Sequence, residues 1–145
     1  MSVKLDYRLK DWGTVENWAE ATAEDLRYRL VLGDLLLTVG DHDYSAEWGW
    51  IPLLDALAAV SAIIQHLEHH PGKRSFEFTE SDATLEFSRH GDQIHLTASY
   101  KPAVAGAPIA DWKKAVAEFA QRLRAEVITG YPELEQNREF KRLLG

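Results

Sequence analysis

Residues 76–100 read FEFTESDATLEFSRHGDQIHLTASY. Three runs alternate with period two: Phe76 and Phe78, then Leu85 and Phe87, then Ile94, Leu96, Ala98 and Tyr100. The positions between them are polar: Glu77, Thr79, Thr84, Glu86, Ser88, Gln93, His95, Thr97 and Ser99. Successive side chains of a strand point to opposite faces, so this pattern predicts a three-strand meander with one dry and one wet face. Glu80-Ser81-Asp82 and His90-Gly91-Asp92 supply the turns.

A helix precedes the meander. Leu53, Leu54, Leu57, Val60, Ile63, Ile64 and Leu67 recur at helical spacing after Pro52, a residue suited to a first helical turn. The small residues Ala56, Ala58, Ala59 and Ala62 widen the apolar stripe, and Pro71-Gly72 ends the helix after His70. Beyond the meander, Lys101–Pro108 reads as a Pro/Gly/Ala linker. Ile109, Trp112, Val116, Phe119, Leu123 and Val127 then mark a second long helix over 109–129, capped by Gly130. Pro132 opens a last short helix through Leu134, Phe140 and Leu143.

The first third is read with the same rules. Val3, Leu5, Tyr7 and Leu9 alternate with charged residues, a half-buried strand. Residues 14–22 suit a short helix turning Val15, Trp18 and Ala19 inward. Leu26–Leu32 and Leu35–Val39 alternate on either side of Gly33-Asp34, which predicts a hairpin with its turn at 33–34. Residues 40–49 read as a polar and aromatic connection. The expected fold is therefore α+β in a single domain over 1–145. It has a mostly antiparallel sheet of about six strands, with two long helices and a short C-terminal helix packed on one face. Its inward set contains Leu30, Leu37, Leu57, Val60, Ile64, Phe78, Phe87, Leu96, Phe119 and Leu123.

Charge narrows the partners. Residues 11–47 hold nine carboxylates (Asp11, Glu16, Glu20, Glu24, Asp25, Asp34, Asp41, Asp43 and Glu47) against Arg27 and Arg29, which equals the whole formal excess of −7. Such a region repels nucleic acid and anionic lipid and attracts basic protein surfaces. The chain has no cysteine, which excludes disulfides, thiolate metal sites and cysteine nucleophiles. No apolar run has membrane-spanning length, and residues 1–8 alternate and are charged, unlike a signal peptide. A cytoplasmic location fits both.

Catalytic motifs are not found. No serine sits in Gly-x-Ser-x-Gly, and the glycines are too widely spaced for a phosphate loop. His66, His69 and His70 match no zinc-protease spacing and read as solvated residues in a helix's last turn. Lys4, Arg8, Lys10, Arg27 and Arg29 read as a solvated, ion-paired sheet face rather than a nucleic-acid footprint. No enzymatic activity, cofactor or metal is expected. The candidate partner-binding residues are Asp41, Asp43, Tyr44, Glu47, Trp48 and Trp50, because aromatics beside charges are the composition of binding hot spots. Trp48 and Trp50 also flank the start of the core helix, a position that suits core packing. Two alternatives stand beside protein binding: a small-ligand or metal-binding domain using the Asp41–Glu47 loop with His42, and a structural subunit of an oligomer.

In format the chain resembles the small cytosolic immunity proteins that bacteria encode beside polymorphic or contact-dependent toxins. The likeness rests on Leu-Gly-Asp-Leu (32–35), Gly-Asp-His-Asp-Tyr-Ser-Ala-Glu-Trp (40–48) leading into Leu53–Leu67, Phe-Glu-Phe-Thr-Glu-Ser (76–81), Leu-Glu-Phe-Ser-Arg (85–89), Tyr-Pro-Glu-Leu (131–134) and Phe-Lys-Arg-Leu-Leu (140–144). The resemblance implies a compact, acidic inhibitor without catalysis that binds a basic toxin domain and occludes its active site.

Overall fold

The meander forms as its alternation dictates, and it gains a fourth strand. In the computed structural model, which describes residues 2–144, β5 (Lys73–Glu77), β6 (Thr84–His90), β7 (Gln93–Ala98) and β8 (Lys101–Pro108) pair in that order, all antiparallel. Phe76 faces Leu85, Phe87 faces Leu96 and Leu85 faces Ala98. All five of these side chains are buried. The segment 101–108 is thus a strand and not a linker. Its small residues are packing residues: Ala105 and Ala107 are buried opposite Leu96 and Ile94.

The other four strands form a separate antiparallel sheet. β1 (Val3–Asp11) pairs with β2 (Leu32–Val39), and β2 pairs on its other edge with β3 (His42–Asp43) and β4 (Ala46–Pro52). There are therefore two four-stranded sheets in place of one six-stranded sheet. The 40–49 connection is largely strand.

The hairpin at Gly33-Asp34 does not form. Both residues lie inside β2, and Leu26–Arg29 belongs to a π-helical turn, Asp25–Arg29. The cause is local. Thr22 Oγ1 accepts the Asp25 N–H and an Asp25 carboxylate oxygen accepts the Thr22 N–H, a reciprocal cap that starts a helical turn. Leu26 and Leu30, four apart, both reach the core from it. Val31, at φ 60°, ends the turn and redirects the chain into β2. Gly33 is needed not for a turn but for close approach: a Cβ there would lie 2.0 Å from the Arg8 carbonyl oxygen. The expected helix over 14–22 shrinks to a 3₁₀ turn, Trp18–Glu20, in which Trp18 is buried.

α1 (Leu53–His69) and α2 (Ile109–Gly130) pack on each other, and each touches both sheets. Pro52 caps α1, and Arg89 Nη1 donates to the Leu67 and Glu68 carbonyls at its other end. Trp112 is fully buried, and its indole N–H donates to the Ile94 carbonyl at 3.0 Å. Gly130 lies within the last turn of α2, and Tyr131 is the cap. The last helix is split into a 3₁₀ turn, Pro132–Gln136, and α3 (Arg138–Leu144). Between them sits buried Asn137, whose Nδ2 donates to the Trp18 and Ala21 carbonyls and whose Oδ1 accepts the Phe140 N–H. All ten residues of the expected inward set are buried.

Candidate functional site

The site lies where β4 leaves the ladder. Leu35 faces Ala46 and Gly33 faces Ile51, so Asp34 alone stands opposite Glu47, Trp48, Gly49 and Trp50. This wide bulge pushes two tryptophans out of the sheet. Gly49 occupies the bend at φ +79°, a conformation costly for any residue with a Cβ. Its N–H donates to Asp34 Oδ1 at 2.8 Å, and Asp34 is 3% exposed. A buried carboxylate needs compensation. Here the Gly49 N–H is one source and Arg8 the other, with Nη1 3.6 Å from Asp34 Oδ2 and 3.0 Å from Glu47 Oε1.

The bulge builds an aromatic row that runs from core to solvent. Buried Phe76 packs on buried Phe78, with ring centres 4.9 Å apart. Phe78 meets Trp48 at 5.0 Å, and Trp48 meets Tyr100 edge-on at 5.6 Å. Trp48 also stacks on Trp50 at 5.5 Å, the ring planes 22° apart. Trp50 is 38% exposed and Tyr100 36%. The Tyr100 hydroxyl turns inward and donates to the Tyr44 carbonyl at 2.6 Å. Burial, and then the Asp43 carboxylate, push that hydroxyl well above the usual phenol range. Tyr100, Trp48 and Trp50 are therefore contiguous, and the Asp43 charge is felt at the Tyr100 hydroxyl.

The six candidate residues separate into three groups. Asp41, Asp43 and Glu47 are exposed. The Ser45 hydroxyl and N–H hold the Asp43 carboxyl below the usual carboxylate range. Trp50 is exposed, and Trp48 is half-buried, at once core and ledge. Tyr44 leaves the set, because it is 1% exposed and offers no surface to a partner. Its hydroxyl donates to the Ala103 carbonyl at 3.0 Å, and Lys101 lies over its ring, so it joins the two sheets. Sequence reasoning missed Tyr100, Arg8 and Asp34. A carboxylate inside the apolar run 32–39 was the available signal, since a buried strand tolerates one only with partners.

The acidic stretch is not one patch. β1 and β2 are antiparallel, with Val3 facing Val39 at one end and Asp11 facing Leu32 at the other. Asp41 and Asp43 thus lie about 23 Å of strand rise from the segment that carries Asp11, Glu16 and Glu20. Lys4, Arg8, Lys10, Arg27 and Arg29 do not share one sheet face either. Arg27 and Arg29 sit on the π-turn, where Arg27 pairs with buried Asp55 at 2.6 Å and Arg29 with Glu24 and Asp25 at 3.5 Å.

Other side-chain groupings are simpler. His66 and His70 stack at 4.6 Å, and partial burial, Arg74 and His70 make His66 harder to protonate. His90 stacks on His95 at 4.2 Å on the open face of the second sheet. Among the described residues, no group of three or more His, Cys, Asp or Glu could hold a metal ion. A groove of about 650 Å³ runs along β1 and α2, lined by charges of both signs such as Lys4, Asp6, Lys114 and Glu118. Arg122 crosses this edge of β1, donating to the Leu5 carbonyl at 2.8 Å and pairing with Asp6 at 3.4 Å. These contacts blunt an otherwise open strand edge. Among the described residues, no helix is long and apolar enough to cross a membrane. No protein-family model, no curated protein and no solved structure matches the chain.

Proposed function

We propose that this protein is a non-enzymatic, protein-binding inhibitor: an immunity protein that acts in the cytoplasm and neutralises a bacterial toxin domain by direct binding. One observation carries the reading. The Trp50–Trp48–Tyr100 ledge is exposed at its tip, continuous with the core at its base, and preceded in the chain by the exposed carboxylates Asp41, Asp43 and Glu47. Rigid aromatics anchored in a core are what interface hot spots consist of. Exposed carboxylates on the same segment steer a basic partner and raise its association rate. Nearby Arg8 and Lys101 moderate the local charge, so the affinity rests on the aromatics and the steering on Asp41, Asp43 and Glu47.

Co-expression tests this reading. The terminal domain encoded by the reading frame adjoining this gene is expected to arrest bacterial growth, and this chain is expected to restore it. Rescue should fail for Trp50→Ala, a variant expected to stay folded. A toxic domain that this chain neither rescues nor binds would sink the proposal.

A further inference from the structure

We propose that Asp34 is the positioning residue of the ledge: its buried carboxylate sets the Glu47–Trp50 bulge and so presents Trp50 preformed to a partner. The use of the ledge rests on the protein-binding reading above; its geometry does not. Four residues set against one cannot satisfy their backbone through the ladder, so something else must hold them. Asp34 does so from the opposite strand. It accepts the N–H of Gly49, the residue between the two tryptophans, at 2.8 Å. A hydrogen bond to an ionised acceptor in a buried setting is among the stronger kinds.

Arg8 reaches over from β1 and ties the first residue of the bulge, Glu47, to the same anchor. Asp34 thus holds the middle of the bulge directly and its start through Arg8. The parallel stack of Trp48 on Trp50 is the visible result. Nothing else fills the space at Gly49, where an added Cβ would meet no atom within 4 Å. At Gly49 itself the bend is held by that hydrogen bond, while Trp48 beside it is also packed on Phe78 and Tyr100. A segment ordered before binding loses less conformational entropy when a partner arrives, which favours affinity.

Two stacked indoles couple electronically and give an exciton couplet in far-ultraviolet circular dichroism. Trp12 and Trp18 form a second close indole pair, with ring centres 6.1 Å apart, so the ledge's couplet is the part of the wild-type signal that Trp50→Phe removes. Asp34→Ala should reduce it at least twofold while the helix signal stays. Asp34→Asn, which keeps an acceptor for the Gly49 N–H, should retain most of it. A folded Asp34→Ala protein with the full couplet would overturn the proposal, as would an Asp34→Asn protein that loses it as completely as alanine. If Asp34→Ala does not fold, hydrogen exchange of the wild-type protein decides: the Gly49 amide should exchange at least 100-fold more slowly than an unprotected amide. Exchange at the unprotected rate would overturn it. Each of these readouts uses this chain alone, so they judge Asp34 independently of whether the ledge binds a toxin.

Discussion

The two sheets of this protein have the same number of strands and differ in almost everything else. In β5–β7, polar and apolar residues alternate, turns fall at polar residues and glycine, and both pairings run without a slip, while β8 adds small residues with one slip against β7. In β1–β4, one strand serves two partners on one edge, a π-turn stands where a hairpin is expected, and a bulge sets four residues against one. A sheet whose local pattern and tertiary role agree is a scaffold. Departures from local rules that the rest of the fold compensates are where candidate sites are found. The aromatic ledge stands on such a departure, braced at its base by the regular sheet through Phe76 and Phe78.

That contrast can be broken by stability measurements. Phe87 is fully buried and packs edge-on against Trp112 at 5.5 Å. Phe87→Ala should cost about 3–5 kcal/mol in urea unfolding. Trp50→Ala should cost less than about 1 kcal/mol, because its ring is substantially exposed. Equal losses would mean that the ledge is core and that the two sheets do not differ in role.

The π-turn gives the next largest effect. Arg27→Ala leaves the Asp55 carboxylate buried without its partner. Arg27 is partly exposed, which discounts the loss to about 2 kcal/mol. Replacing both residues with apolar ones of similar size should recover most of the loss, measured by the same unfolding curves. An Arg27→Ala protein as stable as wild type would show that water reaches Asp55.

Binding kinetics separate the aromatics from the acids. Against a basic toxin domain, Trp50→Ala should raise the dissociation rate, by an amount equivalent to about 2 kcal/mol. The Asp41→Asn, Asp43→Asn, Glu47→Gln triple variant should instead slow association and flatten its salt dependence. Rates unchanged at low salt in the triple variant would move the docking surface elsewhere, and substitutions on the open face of β5–β8 would then be the ones to compare.

The smallest effect is the titration of Asp43. Its folded-state carboxyl is lowered, by the Ser45 hydroxyl first and the Ser45 N–H second. A lowered carboxyl adds stability above its unfolded value, and that stability is lost as pH falls through the folded value. Carboxyl-carbon NMR should place the Asp43 midpoint below the ordinary aspartate range. Ser45→Ala should move it back up. An ordinary midpoint in the wild-type protein would remove the Ser45 contact as the element that shapes this loop.

Much of the fold was legible, and particular residues show why. α1, α2 and the strands around Phe76, Phe87 and Leu96 each carry their own periodicity over enough residues to exclude other readings. Residues 26–32 do not. Leu26 and Leu30 suit a strand by parity and a helical turn by spacing, and the cap from Thr22 to Asp25 decides between them. The 101–108 strand was hidden because its small side chains, selected by packing against β7, have the composition of a linker. Of the site, Asp41, Asp43, Glu47, Trp48 and Trp50 could be named from the chain. Tyr100 is 50 residues beyond Trp50 and Arg8 is 39 before Glu47, and no local pattern joins residues at such separations.

By itself the chain determined the two long helices, the meander, the inward side chains and the gathering of acids and aromatics over 41–50. Each of these follows from interactions repeated within a few residues, so a short window contains its cause. Only the tertiary structure decided that the strands divide into two sheets, that the acidic stretch is split between the two ends of one of them, and that Tyr44 is buried while Trp50 is exposed. Those outcomes depend on which distant backbone approaches which. Asp34 accepts a bond from Gly49 and draws in Arg8 because strands far apart in the chain lie side by side, and period-two alternation is silent about which strands will be neighbours.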